Sequence, residues 1–146
     1  MRVKGVVFSG SHRGSGIISA HFYRLINLLG YEPFMGTMNV KLERKIDIKM
    51  LATKRIENRL QDGSNFIDAY LVPVGIVSTG HKEEKYECWA MEEAHGIYPD
   101  DVVELVAKDN LKEKLNLEDG IMIELEFPDA IEKKEKHGFF KKRKER

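Results

Sequence analysis

Short runs of β-branched and aromatic residues, each ended by glycine, proline or an acidic turn, leave this sequence little room for long helices. Arg2 to Ser9 is the first such run. It closes on Gly10-Ser11-His12-Arg13-Gly14-Ser15-Gly16 and reads as a strand entering a glycine-rich loop. Thr37 to Leu42 alternates apolar and polar residues, and Phe66 to Val77, Glu87 to Met91, Val102 to Ala107 and Ile121 to Phe127 continue the series. Ile46 to Leu51 reads as one more extended segment, and Asn58 to Asn65 as a turn. Pro73 has no N–H to donate, so its place is an edge or a bulge rather than the middle of a ladder. An amphipathic helix is predicted over Ser19 to Leu29 with Gly30 in the C-terminal cap position, and a short one from an Asp109 N-cap through Leu115. Many strands with one or two short helices predict a mainly β fold, a small barrel.

At 146 residues and 42% hydrophobic, the chain suits one domain. No stretch approaches the roughly 18 consecutive apolar residues of a membrane helix, and no signal-peptide core precedes the first strand, so a cytoplasmic location is expected. A single cysteine, Cys88, excludes an internal disulfide framework and a multi-cysteine zinc site. The net charge of zero hides an uneven distribution: Ile131 to Arg146 holds eight Lys/Arg and three Glu, which leaves the first 130 residues five units negative. An acidic body argues against a broad nucleic-acid surface. The expected organisation is a folded domain over residues 1–128 and a basic tail over residues 129–146 without an apolar face.

Three places carry residues suited to chemistry. The loop Gly10 to Gly16 has the glycine density that lets successive amides converge on one anion, as phosphate-cradling loops do, with His12 and Arg13 as further donors. It lacks the Gly-Lys-Ser/Thr of a Walker loop, and a plain surface turn is the competing reading. In the strand from Thr37, residues two apart share a face, so the Thr37 hydroxyl and the Asn39 carboxamide converge. Both are neutral oxygen donors that suit a hard cation such as Mg²⁺ only when a phosphorylated ligand completes its shell; a cross-strand hydrogen-bonded pair is the alternative. Glu104, inside an apolar run, either faces solvent or orients a ligand hydroxyl and accepts its proton. His21, His81, His95 and His137 show no metal-ligand spacing, and Cys88, Trp89 and Tyr98 receive no catalytic role.

The run Leu29-Gly30-Tyr31-Glu32-Pro33-Phe34-Met35-Gly36-Thr37-Met38-Asn39-Val40-Lys41-Leu42 resembles the signature of the archaeal CTP-dependent riboflavin kinases. The opening strand with its glycine-rich loop, Val102 to Ala107, Leu111-Lys112-Glu113 and Leu117-Glu118-Asp119-Gly120 extend the resemblance over about residues 3 to 127. It implies a six-stranded cradle-loop β-barrel that transfers the γ-phosphoryl group of CTP to the ribityl 5′-hydroxyl of riboflavin, giving FMN. By position it implies Mg²⁺ on Thr37 and Asn39, and nucleotide phosphates on Gly10, Ser11, His12, Arg13, Gly14, Ser15 and Gly16. It further implies nucleotide contacts from Asn110, Leu111, Lys112 and Glu113, and the flavin hydroxyl on Glu104. The loop departs from the family pattern: Ser11-His12-Arg13 lengthens its first gap, Ser15 stands in place of a glutamate, and Ile17-Ile18 replace a polar-aromatic pair. The alternative is a non-catalytic barrel that binds flavin or nucleotide, or nucleic acid through its tail.

Overall fold

A computed structural model describes residues 1–10, 13–59, 62–79, 83–96 and 98–129. The basic tail from residue 130, together with Ser11, His12 and His81, lies outside these residues. The fold is mainly β, with strands β1 (Arg2–Phe8), β2 (Met38–Leu42), β3 (Lys54–Arg59), β4 (Asn65–Ser78), β5 (Glu83–Glu93), β6 (Val102–Val106) and β7 (Met122–Glu126). They pair antiparallel in the order β3-β4-β5-β6-β2-β1-β7, and a further β4–β7 pairing turns the sheet into a ring. Seven strands are described where six were expected; β3 pairs only with β4 and stands outside the ring. The sequence gives little sign of β3, because Ile56 is the one apolar residue in Lys54–Arg59.

β4 is long enough to serve both sets of neighbours. Its first half pairs with β3 from Asn65 to Leu71, and its end pairs with β7 from Gly75. Pro73 falls between these two stretches, at a local edge, where its missing N–H costs no ladder bond on that side. Alternation decides which residues fill the ring. Val3 and Val7 of β1, Val40 and Leu42 of β2, Val103 and Leu105 of β6 and Ile123 and Leu125 of β7 are buried together there.

Four short helices are described: α1 (Arg13–Ala20), α2 (Phe22–Leu29), α3 (Ile48–Leu51) and α4 (Leu111–Lys114). The predicted Ser19 to Leu29 helix is in fact two helices that start six residues earlier and break at His21. Gly30 ends α2 in the left-handed conformation, φ 82°, and its N–H bonds to Ile26 O. Ile18 of α1 and Leu25 of α2 are fully buried against Ile56, Leu71, Met91 and Val106, a second apolar cluster on the outer face of the sheet. Burying each is worth about 1.5–3 kcal/mol, enough to override the poor helix propensity of Gly14 and Gly16. Ile46 to Leu51 is not extended: Asp47 caps α3 by accepting from Met50 N at 3.1 Å. Asp109 is not the cap of α4. Asn110 holds that position and accepts from Glu113 N, whereas Asp109 accepts from the Tyr86 hydroxyl at 2.5 Å. Among the described residues no helix is long and apolar enough to cross a membrane.

Candidate functional site

β6 is buried on both faces, because the ring core lies on one side and the second apolar cluster on the other. The polar interruption in this run, Glu104, lies on the outer face in register with Asn39 of β2 and Met91 of β5, while Asn39 is in register with Phe8 of β1. Strand pairing therefore lays Phe8, Asn39, Glu104 and Met91 in one row across four strands. Asn39 and Glu104 are both buried, at 6% and 4% exposure, an arrangement that costs free energy unless partners satisfy them.

Thr37, just before β2, supplies one partner by donating its hydroxyl to Glu104 Oε2 at 3.2 Å. The hydroxyl proton is committed to the carboxylate, so the Thr37 Oγ1 lone pairs remain available. Asn39 Oδ1 has no hydrogen-bond partner although it is fully buried. Two neutral oxygens, one orphaned and one with free lone pairs, thus stand beside a carboxylate. Among the described residues no cluster of three or more His, Cys, Asp or Glu could hold a metal. A hard cation fits Thr37 and Asn39 only if a second, anionic ligand brings the rest of its shell.

The glycine-rich segment roofs this pair. A methyl group on Gly14 would collide with Thr37 and the Glu104 carboxylate, and one on Gly10 with the Asn39 amide and the Tyr98 hydroxyl. The loop is shorter than the sequence suggests, since Arg13, Gly14, Ser15 and Gly16 already belong to α1. Gly16 meets nothing within 4 Å of its added methyl. Ser11 and His12 cannot be placed, being outside the described residues, as is the Arg13 side chain.

A cleft of about 290 Å³ brings together Gly10, Ser15, Thr37, Asn39, Asn110, Leu111 and Lys112. Of the described sequence candidates, Gly14, Gly16 and Glu113 stay off its lining, the Glu113 N–H donating to the Asn110 cap. Glu104 faces a neighbouring recess of about 130 Å³ with Tyr98, Glu92, Glu93 and Lys49, so it forms the wall between the two spaces. Burial raises the Glu92 carboxyl above its ordinary range, against the pull of Lys49.

Ser9, Phe34 and Met35 also line the cleft, beside the candidate Lys112, without having been singled out as site residues in the sequence. Ser9 and Lys112 are tied at the mouth through Asp119, which accepts from Ser9 Oγ at 2.5 Å and from Lys112 Nζ at 2.9 Å. These two donors hold the Asp119 carboxyl below the usual carboxylate range. Lys112 also reaches Ser9 Oγ at 3.4 Å, which leaves one of its three N–H groups for the cleft. Phe34 and Met35 form an exposed apolar rim, and Tyr98 packs edge-on to Phe8 with ring centroids 6.1 Å apart. Cys88 is no nucleophile: burial and Glu87 push its thiol up to about 12.

Residues 7–127 match the model of the CTP-dependent riboflavin kinase domain, also described as domain of unknown function DUF120. The riboflavin kinase of Methanococcus aeolicus is 28% identical over 123 residues, which cover 83% of this chain and 94% of that protein. The riboflavin kinase of Pyrobaculum aerophilum is 31% identical over 130 residues, covering 86% of this chain and 60% of its own length. That of Methanosphaera stadtmanae is 24% identical over 127 residues, 84% of this chain and 96% of its own. The chain thus spans nearly all of two of these relatives and little more than half of several others.

Proposed function

The chain belongs to the CTP-dependent riboflavin kinase family and is a riboflavin kinase, an enzyme that phosphorylates riboflavin to FMN; on that premise, we propose that the cleft over Thr37 and Asn39 takes CTP as donor together with Mg²⁺. In this reading the ring of strands is the family's six-stranded cradle-loop barrel, with β3 appended outside it. One observation carries the proposal: the orphaned, buried Asn39 Oδ1 beside Thr37, under the close approach of Gly10 and Gly14.

Thr37 Oγ1 and Asn39 Oδ1 would hold the cation. When bound it supplies positive charge that neutralises the phosphate oxygens. Backbone amides of the Gly10 to Gly16 segment, including the first turn of α1, bind the phosphates. Asn110 to Glu113 flank the nucleotide, and the free N–H of Lys112 adds a cation at the mouth. Riboflavin enters from the Glu104 side, where carboxylates suit a neutral, hydroxyl-rich ribityl chain. Its 5′-hydroxyl oxygen bonds to the γ-phosphorus as the bond to the bridging oxygen of CDP breaks, and the hydroxyl proton passes to Glu104. Phosphoryl transfer needs little more from a protein than positioning and charge.

The test is incubation with riboflavin and each nucleoside triphosphate, with Mg²⁺ or with excess chelator, reading FMN by chromatography. FMN is expected with CTP and Mg²⁺ and is lost on chelation. Turnover with a purine nucleotide in preference would remove CTP from the reading. Ligand binding with no FMN from any triphosphate would leave a binding module instead.

Glu104→Gln keeps an oxygen to accept from Thr37 while losing the base. Its kcat is expected to fall about tenfold with the CTP KM within about twofold, a modest loss because the transition state makes small demands on a base. Steady-state kinetics check this, and an unchanged kcat would remove Glu104 from the chemistry.

A further inference from the structure

One end of α1 carries Gly14 over Thr37 and Glu104 and Ser15 onto the cleft; the other end is fixed by a polar knot around the buried His21 that the chemistry above does not use. His21, at the break between α1 and α2, is 9% exposed, and its Nε2 stands 2.8 Å from Asp68 Oδ2 of β4. Asp68 also accepts from Asn58 Nδ2 of β3. On the other side of the imidazole, Arg24 of α2 lies 3.5 Å from His21 Nδ1, donates to Asn58 Oδ1 at 3.2 Å and donates to Glu57 O. A carboxylate only accepts, so the His21 Nε2–H donates to Asp68.

The surroundings of the knot explain why it matters. Ile18, Leu25, Ile56, Ala69 and Leu71 are fully buried around the helix pair, and such apolar contact is non-directional. Apolar burial holds α1 down on the sheet but leaves its position along the sheet loosely specified. The hydrogen bond to Asp68 is directional, and a buried polar group that loses its partner has no cheap alternative. From His21 to Gly14 is seven residues, roughly 10 Å along a rigid helix, so a displacement at the knot arrives at the cleft undiminished.

We propose that His21 and Asp68 form a positioning pair which sets how α1 seats on Thr37 and Glu104, and through that seat the affinity for the nucleotide. The inference rests on the nucleotide site proposed above. Neither residue touches a substrate.

The test compares His21→Leu, which keeps the bulk without the donor, with His21→Gln, which restores an N–H toward Asp68, and Asp68→Ala with Asp68→Asn, which keeps an acceptor. Calorimetric binding of Mg²⁺-CTP and the separate KM values for CTP and riboflavin are read beside a thermal melt. His21→Leu and Asp68→Ala are expected to weaken CTP binding about tenfold, the scale of one lost charge-assisted hydrogen bond, with the riboflavin KM within about twofold. The Gln and Asn variants are expected to recover most of the binding. Loss of melting temperature with unchanged CTP binding would overturn the positioning role, as would an equal rise in both KM values. Should the Leu or Ala variant not fold, the Gln and Asn variants decide: CTP binding as tight as in the wild type supports the pair, and a tenfold loss despite the restored bond overturns it. Wild-type protein that binds no Mg²⁺-CTP would instead defeat the functional reading itself.

Discussion

Asn39→Leu is expected to cut FMN formation by roughly 100-fold or more, because a bound cation is worth several kcal/mol of charge stabilisation in the transition state, while leaving the fold as stable as before. The two halves of this expectation come from the same atom. Asn39 Oδ1 is buried without a hydrogen-bond partner, so in the free protein it contributes desolvation cost and nothing in return. A leucine, with the same four-atom side chain branched at Cγ, removes that cost, and stability within about 1 kcal/mol of the wild type is expected. Once the nucleotide arrives with its cation, the same oxygen becomes one of the two protein ligands proposed here, and its loss is felt in binding and turnover together. A thermal melt and Mg²⁺-CTP calorimetry on the same sample separate the two. A variant that melts well below the wild type would mean that Asn39 is structural, and one that turns over normally would remove it from the metal site.

The Thr37–Asn39 pair was legible in the sequence because alternation in a strand is a strong local rule: two residues apart is one face, whatever the rest of the chain does. What surrounds the pair was not legible by the same means. Glu104 meets Thr37 across 67 positions of sequence, and only the order of strands in the ring brings β2 beside β6. The cap of α4 could have been read locally, since Asn110 and Glu113 stand at capping-box spacing, whereas the neighbouring Asp109 faces Tyr86 instead. α3 misled because Ile46 and Ile48 alternate with Asp47 as a strand would, and four residues are too few for helical periodicity to show. α1 misled for another reason. Two glycines near its start signal a loop by propensity, and tertiary contact reversed that signal by burying Ile18 and by demanding a side-chain-free surface over Thr37.

Those two glycines separate packing from propensity in a single experiment. Gly16→Ala adds a methyl into open space on a helix, so it is expected to stabilise the protein by about 0.5–1 kcal/mol, the helical advantage of alanine over glycine. Gly14→Val sits one helical turn or less away and is expected to do the opposite. Its side chain must occupy space already taken by Thr37 Oγ1, Thr37 Cγ2 and Glu104 Oε2, and all three atoms belong to buried or half-buried groups joined by a hydrogen bond. Either α1 rises from the sheet or Thr37 turns away from Glu104. Both outcomes displace the proposed phosphate-binding turn from the proposed cation ligands by an ångström or so, which is enough to lower turnover roughly 100-fold. Steady-state kinetics with a melt for each variant test the pair. If Gly14→Val kept wild-type turnover while folded, the close seat of α1 on Thr37 and Glu104 would have no part in catalysis, and a lower melting temperature in Gly16→Ala would show that its methyl does not meet open space.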